Sequence, residues 1–238
     1  MKLLQLTLET SAANLALDEA LLDAGESGGP PVLRLWEPHE TCVVVGRSSR
    51  VAAEVNVEYC NDQGITIRRR ASGGAAVVAG PGCLMYSIVM ARGSSAAMPS
   101  IDQTHHRILD RMVAAILHLV AGVQQAGISD LVTSDNRKFS GNSLRIRRNH
   151  LLYHGTLLYD FPLELIPRCL RSPPRQPAYR EGRDHAAFVT NLPADSAALH
   201  RVIASEWRAD DPLSDWPMEA THQLAEEKYA RDEWNLRH

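Results

Sequence analysis

Lysine is scarce in this chain: of its 238 residues 25 are basic, and only Lys2, Lys138 and Lys228 are lysines. Long apolar runs are absent as well, since none reaches the roughly 18–20 residues of a membrane span. The four cysteines are widely spaced and form neither a CxxC pair nor a disulfide framework. The N-terminus is a poor signal peptide, so we expect a cytoplasmic protein with reduced thiols.

Several site types lack their motifs. No HExxH pair or GxxxxGK[ST] loop occurs, which argues against a zinc protease or a P-loop. The histidines show no metal-ligand spacing, so we predict no metal site. The formal net charge is −3, whereas nucleic-acid binding is expected to show a more basic balance. We therefore expect neither nucleic-acid nor membrane partners.

Hydrophobic residues make up 45% of the chain, enough for one full core. Periodicity and turn residues place clusters of strands between helices, without regular βαβ units. This pattern predicts an α+β fold with a mixed, largely antiparallel β-sheet flanked by helices. Predicted helices cover 12–22, 55–63, 101–125, 162–170, 197–207 and 221–234. Predicted strands cover 32–36, 42–45, 65–70, 74–78, 84–90, 139–144 and 151–159.

The first candidate site is an arginine-bearing strand that leads into a Ser-Gly-Gly turn. Arg69 precedes Ser72, Gly73 and Gly74. Glycines let backbone N–H groups approach an anion, and arginines add bidentate partners. The segment is interpreted as a phosphate or carboxylate loop, with an ordinary Gly-Gly hairpin as the alternative.

The second candidate surrounds Lys138, which stands at the start of a predicted strand. Small residues follow it at Ser140 and Gly141, and Asp130 precedes it. Lysine is a compact point charge that arginine replaces poorly, so its retention in an arginine-rich chain suggests a role. We expect Lys138 to hold a phosphate or a developing negative charge, with a solvated turn as the alternative.

The third candidate is the His154-Gly155-Thr156 step inside an apolar strand. Glycine weakens a strand unless something must pass close to the backbone. The step therefore indicates a ligand contact, and the alternative is a core histidine beside a bulge.

In their order and spacing these segments resemble the lipoate–protein ligase A family, which belongs with the biotin protein ligases and octanoyltransferases. The resemblance covers about residues 3–195. The segments that carry it are Asn14-x-Ala16-x-Asp18-Glu19, Arg69-Arg70-x-Ser72-Gly73-Gly74-x-x-Val77, Gly82-x-Leu84-x-Tyr86-Ser87, Asp130-Leu131, Lys138-x-Ser140-Gly141-Asn142, His154-Gly155-Thr156-Leu157-Leu158 and Phe188-Val189-Thr190-Asn191-Leu192.

The resemblance implies the family's chemistry, in which a lipoyl or octanoyl group is moved to a lysine of a carrier domain. In the ligases ATP with Mg²⁺ first converts the acid to an acyl-adenylate. Lys138 is the implied catalytic residue. The carriers would be lipoyl domains of 2-oxoacid dehydrogenase E2 or glycine cleavage H protein type. Implied substrate and cofactor contacts are Arg69, Ser72, Gly73, Gly74, Ala75, Tyr86, Asp130, Ser140, Gly141, His154, Gly155 and Thr156.

Departures from the family pattern keep alternatives open. Ala75 and Ala79 stand where the family often has the third glycine and a histidine. A cysteine-dependent, ATP-independent transferase is one alternative, although Cys169 lies in a poorly matching setting. A non-catalytic acyl-binding protein is another. We expect residues 1–238 to form one catalytic domain that ends in helices over 196–238. We expect no accessory domain in the chain, although a separate chain could supply it.

Overall fold

A computed structural model describes residues 1–93, 99–172 and 176–238. The strands are β1 (Lys2–Gln5), β2 (Val32–Trp36), β3 (Cys42–Val45), β4 (Thr66–Arg69), β5 (Val77–Ala79), β6 (Cys83–Ala91), β7 (Gln124–Ala126), β8 (Asp130–Val132), β9 (Lys138–Ile146), β10 (His150–Leu158) and β11 (Asp211–Pro212). The helices are α1 (Ser11–Glu26), α2 (Val51–Glu54), α3 (Val57–Asp62), α4 (Ile101–Leu117), α5 (Leu165–Cys169), α6 (His185–Phe188), α7 (Ser196–Glu206), α8 (Met218–Leu224) and α9 (Asp232–Asn235). A 3₁₀ turn covers Ala178–Arg180, and a π-helical turn covers Ala225–Tyr229.

Two sheets organise these elements. Eight strands form one sheet in the order β11-β1-β2-β6-β10-β9-β8-β7, and β4-β3-β5 form a second. Pairing in the large sheet is antiparallel except along β1, which runs parallel to β2 and β11. The predicted α+β fold with a mixed, largely antiparallel sheet is therefore confirmed.

The two faces of the large sheet pack against different helices. Tyr153 and Leu157 of β10 join a core cluster with α4 and α7. Leu152 of the same strand packs instead with α1, through Leu17 and Leu21. Because successive strand side chains point to opposite faces, His154 shares the face that looks toward α1.

Several predicted boundaries differ from the structure. The helix predicted over 101–125 ends at Leu117, and residues 124–126 form β7 instead. The helix predicted over 55–63 corresponds to α3 and begins at Val57, because Val55 is extended; the short α2 that precedes Val55 was not predicted. Of the strand predicted over 74–78 only Val77 and Val78 lie in β5, because the preceding turn curls around the Arg70 side chain. Within the described residues no helix is long and apolar enough to cross a membrane.

Candidate active site

A cavity of about 1050 Å³ lies between the β9–β10 end of the large sheet and the loop that follows β4. All three sequence candidates contribute to its wall. The predicted residues that line it are Gly73, Gly74, Ala75, Asp130, Lys138, Gly141, His154, Gly155 and Thr156. The topology therefore gathers into one site segments that lie up to 83 residues apart in the chain.

The Ser-Gly-Gly turn is folded around Arg70. Its guanidinium donates to the carbonyl oxygens of Val44 at 3.0 Å, Gly73 at 2.5 Å and Ala75 at 3.0 Å. Gly74 has φ +90°, a conformation that side chains with a Cβ rarely adopt. Burial lowers the pKa of Arg70 to about 10, against the attraction of a nearby carboxylate. The exposed turn residues are thus held by a buried cation at the cavity wall.

The structure corrects the prediction for Arg69, because this residue does not line the cavity. It is fully buried on the opposite side of the strand and donates to backbone carbonyls. Gly46 and Ser49 accept from Nη1 at 2.7 and 2.8 Å, and Trp234 accepts from Nε at 2.9 Å. Arg69 therefore anchors the C-terminal segment, and its neighbour Arg70 takes the place predicted for it.

Three further predicted residues lie beside the cavity rather than on its wall. Ser72 is 1% exposed and sits behind the lining, and Tyr86 is fully buried beneath β10. The Tyr86 hydroxyl donates to Asn142 Oδ1 at 2.5 Å. A Cβ at Gly155 would overlap the Asn142 carboxamide. The Asn142 carboxamide therefore accounts for a glycine at this position, and Gly155 also lines the cavity. Ser140 lines a second, smaller cavity.

Lys138 and Asp130 form an ion pair in the wall, which also carries Arg50, Glu54 and Arg70. Lys138 Nζ lies 2.7 Å from Asp130 Oδ1, and the Tyr179 hydroxyl donates to Asp130 Oδ2 at 2.7 Å. Burial, followed by the charge of Asp130, raises the pKa of Tyr179 well above its usual value. Tyr179 lies in the 3₁₀ turn and was missed by the sequence prediction, since the turn lies outside the motifs.

The smaller cavity has a volume of about 160 Å³ and adjoins the first, since Lys138, Gly141 and Thr156 line both. Its wall is mostly apolar and includes Phe139, Leu158 and Phe188. Lys138 therefore places a cation at the junction of the two cavities, among apolar side chains. This arrangement fits a ligand with an anionic group and a hydrocarbon or ring portion.

His154 connects the cavity to a buried carboxylate on α1. Its Nδ1 lies 3.1 Å from Asp18 Oδ2, and its Nε2 lies 2.5 Å from Ser72 Oγ. Asp18 in turn accepts from Arg34 Nη1 at 2.8 Å. The sequence analysis did not place Asp18 or Arg34 at the site. Both residues reach it only because α1 and β2 pack beside β10 in the folded chain.

The four cysteines lie outside both cavities. Cys42 is 2% exposed, and Cys60, Cys83 and Cys169 are fully buried. Burial raises the pKa of Cys42 and of Cys169 to about 12, and it also raises the pKa values of Cys60 and Cys83. A nucleophilic thiolate needs the opposite shift.

Comparison with known proteins identifies relatives of two kinds. Residues 10–199 match the description "Lipoyl protein ligase A/B catalytic domain". A putative lipoate-protein ligase A of Schizosaccharomyces pombe is 32% identical over 67% of this chain, which spans only 41% of that protein. Lipoate-protein ligase A subunit 1 of Thermoplasma acidophilum is 25% identical, with 97% of this chain and 95% of that protein aligned. Octanoyltransferase LipM of Brevibacillus brevis is 24% identical, with 95% of each aligned.

Solved structures share the fold. A bipartite lipoate protein ligase from T. acidophilum, described with its E2 lipoyl domain, superposes with a TM-score of 0.84 at 21% identity, covering 99% of this chain and 95% of that one. A putative lipoate protein ligase from T. acidophilum with bound lipoic acid gives 0.81 at 21% identity, covering 99% and 98%. A lipoate-protein ligase A bound with ATP gives 0.81 at 22% identity, covering 99% and 98%.

Proposed function

The chain belongs to the lipoyl protein ligase A/B catalytic-domain family, and on that premise we propose that it activates lipoate or octanoate with ATP and transfers the acyl group to a lysine of a carrier domain. The relatives above are named as lipoate-protein ligases and octanoyltransferases, which are enzymes acting on protein lysine. Both names describe an enzyme of the ligase or octanoyltransferase type. The proposal adds that the reaction depends on ATP.

One observation carries the proposal: Lys138 stands at the junction of two largely apolar cavities, and no cysteine lines either. The apolar side chains of these walls suit an acyl chain or a base, and burial favours a hydrocarbon by about 0.8 kcal/mol per CH₂. Lys138 would neutralise carboxylate and phosphate oxygens as the acyl-adenylate forms. Without a thiolate at the site, activation by a nucleotide is the better-supported chemistry.

The cavity wall fits a nucleotide polyphosphate. Lys138 supplies a cation that only Asp130 neutralises within the described residues, and exposed Gly73, where an added Cβ would meet nothing within 4 Å, leaves space for an anion beside the backbone. Mg²⁺ takes oxygen ligands and usually arrives with the phosphates. Glu54 and Asp130 are the carboxylates of the wall that such an ion would meet.

We also propose that residues 1–238 act as one catalytic domain in the cytoplasm. The carrier would be a lipoyl domain of E2 or H-protein type, by analogy with the E2 lipoyl domain named with the T. acidophilum ligase. That ligase is bipartite, and a relative is named as subunit 1 of such an enzyme. A separate accessory chain is therefore part of the proposal.

The test supplies lipoate or octanoate, ATP and Mg²⁺ to the purified chain, and follows pyrophosphate release together with acyl-adenylate by mass spectrometry. We expect both products with wild type and a loss of both with Lys138→Ala. A second arm offers octanoyl-thioester without ATP. Acylation of an E2 lipoyl domain in that arm alone, with an acyl-cysteine on the enzyme, would overturn the ligase proposal in favour of the octanoyltransferase alternative.

The octanoyltransferase alternative is kept because the B. brevis octanoyltransferase aligns over nearly the whole chain. The third hypothesis is a non-catalytic acyl-binding protein. Binding of octanoate by calorimetry without turnover in either arm would select it.

A further inference from the structure

The outer side of β9 is covered over only part of its length. β8 pairs with the first part of the strand, as far as Gly141, and the Ser129 carbonyl then accepts from the Asn142 amide at 3.0 Å. Beyond Asn142 no strand of the described chain pairs with this side of β9. We call residues 143–146 the open edge.

The ladder with β10 shows which main-chain groups the open edge presents. The Asn142 amide points away from β10, whereas the Arg147 amide turns toward it. Because these groups alternate in direction along an antiparallel strand, the N–H and C=O groups of Leu144 and Ile146 also point away from β10. They have no backbone partner in the described part of the chain. Such a row of groups is a template for another strand.

The open edge begins at the larger cavity. Ser143 lines that cavity, and its Oγ donates to the Gly73 carbonyl at 2.8 Å. It is paired with His154 of β10, which lines the same cavity. The side chain of Arg145 lies two residues further along the same face of the sheet. A strand added to the open edge would therefore bring its own side chains on this face to the cavity mouth.

The charge of the open edge favours an acidic partner. Arg145 Nε is buried and has no hydrogen-bond partner among the described residues. The next arginine, Arg147, instead pairs with Asp23 at 2.9 Å. A carboxylate on an added strand would supply the partner that Arg145 lacks. A second copy of this chain would not, because the antiparallel register that uses both outward residues places Arg145 opposite its own counterpart, and like charges directly opposite are destabilising.

We propose that the open edge docks the carrier domain by β-augmentation. A strand of the carrier pairs with Leu144 and Ile146, its acceptor lysine lies opposite Ser143, and a carboxylate two residues away lies opposite Arg145. Main-chain hydrogen bonds then hold the strand, and the alternate side chains select it. The proposal rests on the proposed acyl transfer to a protein lysine, and it adds where and how the carrier binds.

The first test removes one main-chain donor. Synthetic octanoyl-adenylate and a recombinant E2 lipoyl domain are given to the enzyme, and rates are corrected for the reaction without enzyme. Leu144→Pro deletes an N–H that faces outward and none that bonds to β10, a position that proline tolerates on an edge strand. Leu144→Ala keeps the N–H. We expect the proline variant to have a KM for the domain about fivefold above that of the alanine variant, with similar kcat.

The second test reverses the charge. Arg145→Glu should raise the KM for the domain about tenfold, equivalent to about 1.4 kcal/mol, because an opposite-charge pair becomes a like-charge pair. Arg148→Glu is the matched control, since it makes the same change in the turn beyond the open edge. Its KM should stay within about twofold of wild type. A lipoyl domain with arginine two residues from the acceptor lysine, on both sides, should restore acylation by Arg145→Glu.

Amide hydrogen exchange tests the edge without any chemistry. Peptides that cover residues 143–147 should exchange more slowly when the lipoyl domain is added. They should not do so when the enzyme alone is concentrated. This measurement uses the wild-type chain, so it also covers the case in which Leu144→Pro fails to fold.

Three results would overturn the proposal. One is unchanged exchange over 143–147 while the domain is acylated. Another is an equal KM in Arg145→Glu and Arg148→Glu. The third is protection that grows with enzyme concentration alone, which would indicate a second copy at the edge.

The proposed activation chemistry fails or stands separately. A wild-type enzyme that acylates the domain from the synthetic donor but forms no adenylate from octanoate and ATP would refute only the ligase chemistry. A wild-type enzyme that forms the adenylate but neither binds nor acylates the domain would refute the docking proposal and leave the activation step standing.

Discussion

Asp18 and Asp130 each hold a cation at the same site, but they do so at different depths. The side chains of Asp18 and Arg34 are 4% and 0% exposed, whereas those of Asp130 and Lys138 are 12% and 26% exposed. Arg34 also donates to the Asn14 and Leu6 carbonyls, so its geometry is fixed from several directions.

This difference separates two tasks. The Asp18 pair is preorganised and desolvated, which suits a device that orients a ring. The Lys138 pair keeps access to water and to ligand, because Asp130 takes only one of three ammonium N–H groups. One pair contributes mainly to architecture, and the other can exchange its partner for a substrate oxygen.

Breaking the deeper pair should have the largest effect. Asp18→Ala leaves Arg34 buried without its counter-charge and should lower the free energy of unfolding by about 3–5 kcal/mol. Asp130→Ala is the matched control and should cost about 1–2 kcal/mol, since its pair is partly solvated. Urea unfolding at neutral pH measures both. Equal losses would contradict the distinction between the two pairs.

When activity is measured instead of stability, the Lys138–Asp130 pair should matter more than the Asp18–Arg34 pair, and Lys138→Ala tests this. The acylation rate should fall about 10²–10³-fold, the scale for one lost transition-state donor. The free energy of unfolding should change by no more than about 1 kcal/mol. Lys138→Arg should restore little activity because a planar fork replaces a point charge. Near wild-type rates in both variants would remove the lysine from the mechanism.

Substitutions at Gly155 and Gly73 should distinguish a buried position from an open position on the cavity wall. Gly155→Ala forces a Cβ against Asn142 and should cost about 1–3 kcal/mol of stability by overpacking. A Cβ at Gly73 meets nothing within 4 Å. Gly73→Val should therefore fold normally but fill the cavity, weakening octanoate or ATP binding at least about tenfold, or about 1.4 kcal/mol. Calorimetry that finds normal binding would reject the loop assignment.

The contribution of the buried Asp18 carboxylate to the free energy of unfolding should depend on pH. The pKa of Asp18 is lowered from 3.8. Its contribution is therefore fully present above that ordinary value and is lost as pH falls through the lower folded value. The stability gap between wild type and Asp18→Asn should stay constant over about pH 5–7 and shrink in more acid solution, by at most about 1.4 kcal/mol per pH unit. A gap that grows on acidification would contradict the sign.

Cys169→Ala should produce the smallest effect. The thiol lies outside both cavities and its pKa is raised to about 12. Acylation should remain within about twofold of wild type, because a buried thiol of raised pKa is not a nucleophile. Loss of activity together with an acyl-enzyme on Cys169 in wild type would support the transferase instead.

Much of the architecture follows from local pattern. The apolar run over 151–159 predicts β10, and the two-residue period of a strand places His154 and Thr156 on one face. The helices near 12–22 and 197–207 follow from apolar spacing, and the structure forms both. Short strands such as β1, β7, β8 and β11 have two to four residues, too few for a period to be read.

The local sequence pattern shows that Arg69 and Arg70 cannot both face the cavity, but it does not show which of them does. Neighbours around a strand end point to opposite sides, so only one can face the cavity. The decision comes from the C-terminal segment, which returns from 165 residues away to offer the Trp234 carbonyl to Arg69. The hydrogen bond between His154 and Asp18 depends on packing in the same way, because the two residues are 136 positions apart in the chain. Residue types and their spacing along the chain determined the candidate chemistry, whereas burial and backbone carbonyls supplied by distant segments decided which charges became structural and which stayed available to a ligand.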